Sequence, residues 1–194
     1  MPRVTALRPA QPGRVRVELD GERWRTIPLE VAARSGLSIG LELDRERLRT
    51  LRRELRRGDA VAAGTRALAR HDRSEHGLRG ILERKGVGER EREEAIAALR
   101  RHGALDDKRF AEARATALAE RGFGDTAIAF KLEQDGIEPQ ASAAALDALE
   151  PERERAVCLA ARRGASARTA RWLAARGFAP ESVEAALPTE DLAT

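Results

Sequence analysis

The sequence predicts a mainly α protein: an elongated tandem array of three three-helix repeats, preceded by a small N-terminal β-hairpin and helix unit. Three observations carry this. Ala, Leu, Arg and Glu dominate, aromatic residues are only 3% and Tyr is absent, a composition that favours helix over a large compact α/β core. One set of apolar and glycine anchors recurs three times after Ala60. The first 27 residues instead alternate apolar and polar positions around an Asp-Gly pair.

The elements follow in order. In "RVRVELDGERWRT", Val15, Val17 and Leu19 alternate with Arg16 and Glu18, and Asp20-Gly21 supplies a tight type I′ turn. The expected register sets Val17 opposite Trp24, Val15 opposite Thr26, Glu18 opposite Arg23, and Arg16 near Arg25. "VTALR" at 4–8 is a candidate third strand, and a lone hairpin needs something to pack on. A short helix is expected from Pro28 to a stop at Gly36. Asp44 then fits a helix N-cap, with Leu43 and Leu48 as a hydrophobic staple. Leu48, Leu51 and Leu55 form one stripe, and Arg49, Arg52, Arg53, Arg56 and Arg57 crowd the rest of the helix.

Three segments align beneath one another: "ALARHDRSEHGLRGILERKGV" (67–87), "ALAERGFGDTAIAFKLEQDGI" (117–137) and "CLAARRGASARTARWLAARGF" (158–178). Leu68, Leu118 and Leu159 each precede Leu82, Leu132 and Leu173 by fourteen residues. Four residues later come Gly86, Gly136 and Gly177, each followed by an apolar residue, Val87, Ile137 or Phe178. Ten past each glycine stands Ile96, Leu146 or Leu187. The spacing predicts one helix ending near Arg70, a second starting at a small polar cap such as Ser74 and stopping at the glycine, and a third carrying the last anchor. The expected units are 1–57, 60–105, 106–150 and 151–194. Helices this short need tertiary packing, which stacked units supply.

"GALDDKRFAEA" (103–113) sets Asp106 beside Asp107. An acid/base pair needs a pocket and partners that split the two pKa values, and the sequence offers none. Asp106 instead reads as a helix N-cap, Asp107 as a first-turn acid, and Leu105 with Phe110 as a second staple.

The single Cys158 excludes an intramolecular disulfide and a cysteine-based metal cluster, and it is expected to fill an apolar gap in the first helix of the third unit. His71 and His76 lack partners for a metal site. "GVGERE" (86–91) follows a helix and reads as an interhelical turn rather than a phosphate loop. No metal, cofactor or catalytic residue is expected. With no membrane-length apolar run, a cytoplasmic, soluble protein working by binding is expected. Charge is uneven. Residues 1–57 carry 14 basic and 8 acidic residues, a net +6, and 60–105 carry 10 and 7, a net +3. Residues 106–150 carry 5 and 10, a net −5, and 151–194 carry 7 and 6, a net +1. The basic N-terminal half is thus the expected approach to phosphate, through Arg49, Arg52, Arg53 and Arg56, and the acidic middle the expected protein-facing part.

"RSEHGLRGILERKGV" and "LRRHGALDDKRFAEA" resemble the RecX family of bacterial recombinase regulators. The resemblance rests on an R-S-x-x-x-L-x-x-x-L-x-x-K-G block, Arg73 to Gly86, and an L-D-D-x-R-F-A block, Leu105 to Ala111. Gly122, Gly124, Ile128, Leu132, Gly136 and Ile137 match a further pattern of the second unit. The third unit departs most, with Ala165 in place of a glycine and Arg171-Trp172 in its second helix. The resemblance implies a regulator that binds RecA or the RecA–DNA filament and inhibits its ATPase and strand exchange. A monomer is expected, with single- or double-stranded DNA as a further partner through the basic N-terminal half and no membrane. Arg73, Lys85 and Arg109 are the motif's outward polar residues. With Arg79, Arg121 and Lys131 they complete the expected partner-binding set. A direct duplex-DNA binder such as a transcription regulator is the second reading, and an inert scaffold a third. Against the second, the helix over 124–136 carries Asp125, Glu133 and Asp135 against Lys131 alone.

Overall fold

A computed structural model describes residues 1–187; the end of the third expected unit, 188–194, lies outside the described residues. The described chain is mainly helical, and contacts divide it into two compact units. One comprises Met1–Arg70 and Arg79–Ala104, the other His71–Leu78 and the chain from Leu105 onward.

The first unit opens with an antiparallel sheet in the order β1 (Val4–Gln11), β2 (Arg14–Leu19), β3 (Glu22–Pro28), so "VTALR" is a strand. Asp20 and Gly21 both take positive φ, 49° and 88°, as the two-residue turn requires. Glu18 pairs with Arg23 as expected, but the next pair is Val17 with Arg25, then Arg16 with Thr26 and Val15 with Ile27. Trp24 is the extra residue of a β-bulge, which shifts the register by one from the expected pairing. The shift carries Ile27 into the core and leaves Trp24 at the surface.

The short helix α1 (Leu29–Arg34) ends before Gly36. In α2 (Arg45–Leu68) the Asp44 carboxylate accepts from the Arg47 amide at 2.7 Å. Leu43, Leu51 and Leu55 are buried with Val4, Val15, Val17, Ile27 and Val31, and Leu48 packs on this cluster. The helix does not pause at Gly58-Asp59. It continues for 24 residues, joining the expected Arg-rich helix to the first helix of the first repeat. Gly58 serves close packing, since a Cβ there would lie 3.1 Å from Val31 Cγ2. The helices α3 (Glu75–Arg84) and α4 (Glu89–Arg101) follow, joined by the turn at Gly86–Gly88.

The second unit holds α5 (Asp107–Glu120), α6 (Asp125–Gln134), α7 (Pro139–Asp147), α8 (Glu152–Arg163), α9 (Ala167–Ala175) and α10 (Pro180–Ala185). The recurrent anchors are helix terminators. Phe178 N–H donates to the Leu173 carbonyl and Gly177 N–H to Ala174. Ile137 and Gly136 make the same pair of bonds to Leu132 and Glu133, and Val87 and Gly86 to Leu82 and Glu83. This is the Schellman arrangement, which fixes the leucine-to-glycine spacing and folds the following apolar residue onto the last turn. Leu118, Leu132 and Ile137 are buried in one core with Ile128, Ala111 and Ala115, and Leu146 packs on it. In the third repeat Leu173 and Phe178 are buried with Ala156 and Ala160. Ala186 and Val183 take the place expected of Leu187, because α10 is only 6 residues long and ends before Leu187.

Asp106 caps α5, accepting from the amides of Lys108 and Arg109 at 3.0 and 3.1 Å. Replacing it with Ala should lower stability by about 0.5–2 kcal/mol, read by thermal melting, with partner binding retained at temperatures where the variant is folded. Cys158 is exposed and fills no apolar gap. The inward face of α8 is Arg155, Ala156, Leu159 and Ala160, and Cys158 falls outside that i, i+4 stripe.

Candidate partner-binding surfaces

The helix-two starts of the first two repeats, α3 and α6, are each tied to the repeat that follows. The Asp107 carboxylate accepts from the Glu75 amide at 2.7 Å, at the beginning of α3. The equivalent first residue of α8, Glu152, accepts from the Asp125 amide at 2.7 Å and the Ala179 amide at 3.1 Å. The two adjacent aspartates therefore serve two different helices. Ser74 Oγ donates to the Asp135 carbonyl at 2.5 Å, and at the matching position Gly124 N–H donates to the Arg176 carbonyl at 2.9 Å. His76 lies over Gly136, and Ala127 over Gly177, so closely that a Cβ on either glycine would fall 2.4 or 2.6 Å from a side-chain carbon.

Arg155 completes the joint between the last two repeats. It is buried, donates to the carbonyls of Glu150 and Phe123 at 2.9 and 3.0 Å, and pairs with Asp125. Burial pushes the Asp125 carboxyl above its ordinary range, against the opposing pull of Arg155. The N-terminal turns of α3 and α6 are thus occupied by protein groups. A recognition helix entering a DNA groove needs that turn open, which disfavours α3 and α6 in that role.

The expected arginines divide into two sets. Arg56 pairs with Glu91 at 2.7 Å, Arg53 lies 3.9 Å from Glu54, and Arg57 lies 3.8 Å from Glu54 and 3.9 Å from Glu94. Arg79 grips Glu93 through two bonds of 2.9 and 3.0 Å. The hydrogen bonds from Arg56 and Arg79 hold the Glu91 and Glu93 carboxyls below the usual carboxylate range. Much of the positive N-terminal charge is therefore answered within the first unit. Arg49, Arg52, Arg73 and Lys85 are exposed, with no carboxylate partner among the described residues; Arg109 is exposed beside the α5 cap. Arg121 and Lys131 instead face the Phe123 ring, 5.8 and 5.0 Å from its centroid.

That ring belongs to a series the segment charges hide. Arg163 lies 4.1 Å from the Trp172 centroid; Arg176 lies 4.9 Å from Trp172 and 4.8 Å from Phe123. Between Arg155 and Pro180 there are five Arg and no Asp or Glu. The readable signal was this acid-free run, lost when 151–194 is averaged to +1 because its acids gather at the two ends.

Among the described residues no three His, Cys, Asp or Glu side chains stand together as a metal-binding group, and no helix is long and apolar enough to cross a membrane. No curated protein matches the chain. Residues 106–146 match the model of the second three-helix domain of RecX. A crystal structure of regulatory protein RecX superposes with a TM-score of 0.83 at 21% identity, covering 96% of this chain and 98% of the other. RecX from Lactobacillus salivarius gives 0.59 at 20% identity, covering 66% of this chain and 92% of that one. The resemblance read from the Leu105–Ala111 block is thus met in sequence and backbone alike: residues 106–146 match the model of the second three-helix domain of RecX, and the chain has the fold of these RecX structures.

Proposed function

We propose that this protein regulates recombination by binding RecA or the RecA–DNA filament and inhibiting its ATPase and strand-exchange activities, without a catalytic reaction of its own. The observation that carries the reading is the RecX domain match at 106–146, set in a backbone that follows a regulatory protein titled RecX over nearly its whole length. The physics is compatible with a binder. The paired carboxylates are helix caps, and the repeats are locked to one another by backbone and side-chain hydrogen bonds, which suits a preformed docking surface. The duplex-reading alternative is weakened by the occupied N-terminal turns of α3 and α6. Arg49, Arg52, Arg73 and Lys85 are the candidates in the N-terminal half for contact with the partner, being exposed and unanswered by carboxylates among the described residues.

The test is co-precipitation with RecA, with and without single-stranded DNA and a non-hydrolysed nucleotide. Retention on RecA filaments is the expected result, and its absence under every condition would remove the reading. Combined Arg49→Gln and Arg52→Gln should weaken that retention more than combined Arg56→Gln and Arg79→Gln, because the second pair of side chains is already committed to Glu91 and Glu93.

A further inference from the structure

The helices α6 and α7 leave a groove of about 780 Å³ between them, lined by Phe130, Ile137, Pro139, Ala143 and Leu146, with the carboxylates of Glu133 and Glu138 as its only charged groups. We infer that this groove docks a basic amphipathic helix of a partner protein. The apolar stripe of that helix covers Phe130, and its Lys or Arg side chains reach Glu133 and Glu138.

The repeat itself does not ask for Phe130. Two residues before the anchors Leu82, Leu132 and Leu173 stand Gly80, Phe130 and Arg171, so only the second repeat puts a large apolar side chain there. Phe130 is 58% exposed, while Ile128 and Leu132 already supply the buried face of α6. A helix that met only water on its other side would carry polar residues there. The neighbouring α7 shows the same departure. Residues 139–146 include no charged side chain, in a chain that is 35% charged, and Ala143 and Ala144 are exposed. Two adjacent helices that are apolar towards solvent mark a contact face.

The charges say what the face meets. Along 125–138 the acids are Asp125, Glu133, Asp135 and Glu138. Asp125 pairs with Arg155, and Asp135 with Arg114 at 3.0 Å. The two that line the groove, Glu133 and Glu138, pair with no cation among the described residues. Lys131, the one cation of α6, is turned to the Phe123 ring, 5.0 Å from its centroid. Unanswered carboxylates beside an apolar floor attract cations and repel phosphate, so a nucleic acid or an anionic lipid surface does not fit. The walls are helices whose backbone groups bond within themselves, so the groove offers an extended strand no edge to pair with. A helix laid in by its side chains is the mode that remains. The Arg-rich α2 of a second copy does not meet the requirement, because Leu51 and Leu55 of its apolar stripe are buried and Leu48 packs on the same core.

The inference does not require RecA to be that partner, and its test contains none. The probe is a fluorescent helical peptide built only of Leu and Lys, with Leu on one face, and binding to the full chain is read by anisotropy. The parent protein should bind it, and should bind neither a Leu/Glu peptide of the same pattern nor a Leu/Lys isomer whose leucines are spread around the helix. Phe130→Ser should weaken binding at least about tenfold, as loss of an aromatic anchor does. Its side chain is exposed, so the fold should survive, which circular dichroism checks. Glu133→Gln with Glu138→Gln should weaken binding and flatten its salt dependence, whereas Glu112→Gln, outside the groove, should do neither. No binding by the parent, equal binding by Phe130→Ser, or equal binding of either control peptide would each overturn the inference. So would self-association of the parent that Phe130→Ser abolishes, since a second copy would then be the occupant.

Discussion

Replacing Gly177 with Ala should destabilise the second unit severely, by roughly 3–5 kcal/mol, whereas the same change at Gly86 should cost about 1–2 kcal/mol. Both glycines hold positive φ, 80° and 73°, at the same place in the repeat, so the backbone penalty is shared. The difference is what lies beyond. A Cβ at Gly86 meets nothing within 4 Å, while one at Gly177 falls 2.6 Å from Ala127 Cβ and 2.7 Å from Ala127 N. No side chain can swing aside to relieve the second clash, because backbone is involved. Gly124→Ala isolates the steric part. Its φ is an ordinary −82°, yet its Cβ would sit 2.3 Å from the Gly177 carbonyl oxygen. Urea unfolding of the three variants checks the order: Gly177 and Gly124 well below Gly86. Equal losses at Gly86 and Gly177 would show that the glycines serve helix termination alone.

The second large effect is expected at Arg155. Its guanidinium is buried and serves two carbonyls and Asp125 at once. Arg155→Ala leaves the Glu150 and Phe123 carbonyls without their donor, each unsatisfied buried acceptor costing about 1–3 kcal/mol, while the part-exposed Asp125 carboxylate can turn to water. Arg155→Lys should recover only part of this, because one ammonium cannot span the same three acceptors in a fixed plane. Hydrogen exchange should localise the damage to α6 and α8, the elements whose start and body Arg155 joins. A variant as stable as the parent protein would mean that the joint is held by Glu152 and the backbone bonds alone.

Much of the fold was legible because its signals are local. The leucine-to-glycine spacing is the geometry of a Schellman stop, and Asp44 and Asp106 cap helices by bonds to amides two or three residues away. Features that depend on a distant neighbour were not legible. Trp24 reads as a paired strand residue, and only the demand to bury Ile27 against the sheet's core reveals the bulge. Gly58-Asp59 falls at the expected boundary between units, until Val31 explains why a glycine is wanted inside α2. Asp107 reads as a first-turn acid, yet its carboxylate serves an amide 32 residues away. The surface was the hardest to read. Segment charges pointed to the N-terminal half, but pairing within the first unit and segregation within the third repeat are properties of position and not of totals.

The most direct test of the account is the rate of ATP hydrolysis by RecA on single-stranded DNA as this protein is titrated in. The account predicts a progressive fall in rate that saturates, no hydrolysis by the protein alone, and the same fall with Asp106→Ala at a temperature where that variant is folded. An unaltered RecA rate at every concentration, with the protein shown to be folded, would contradict it.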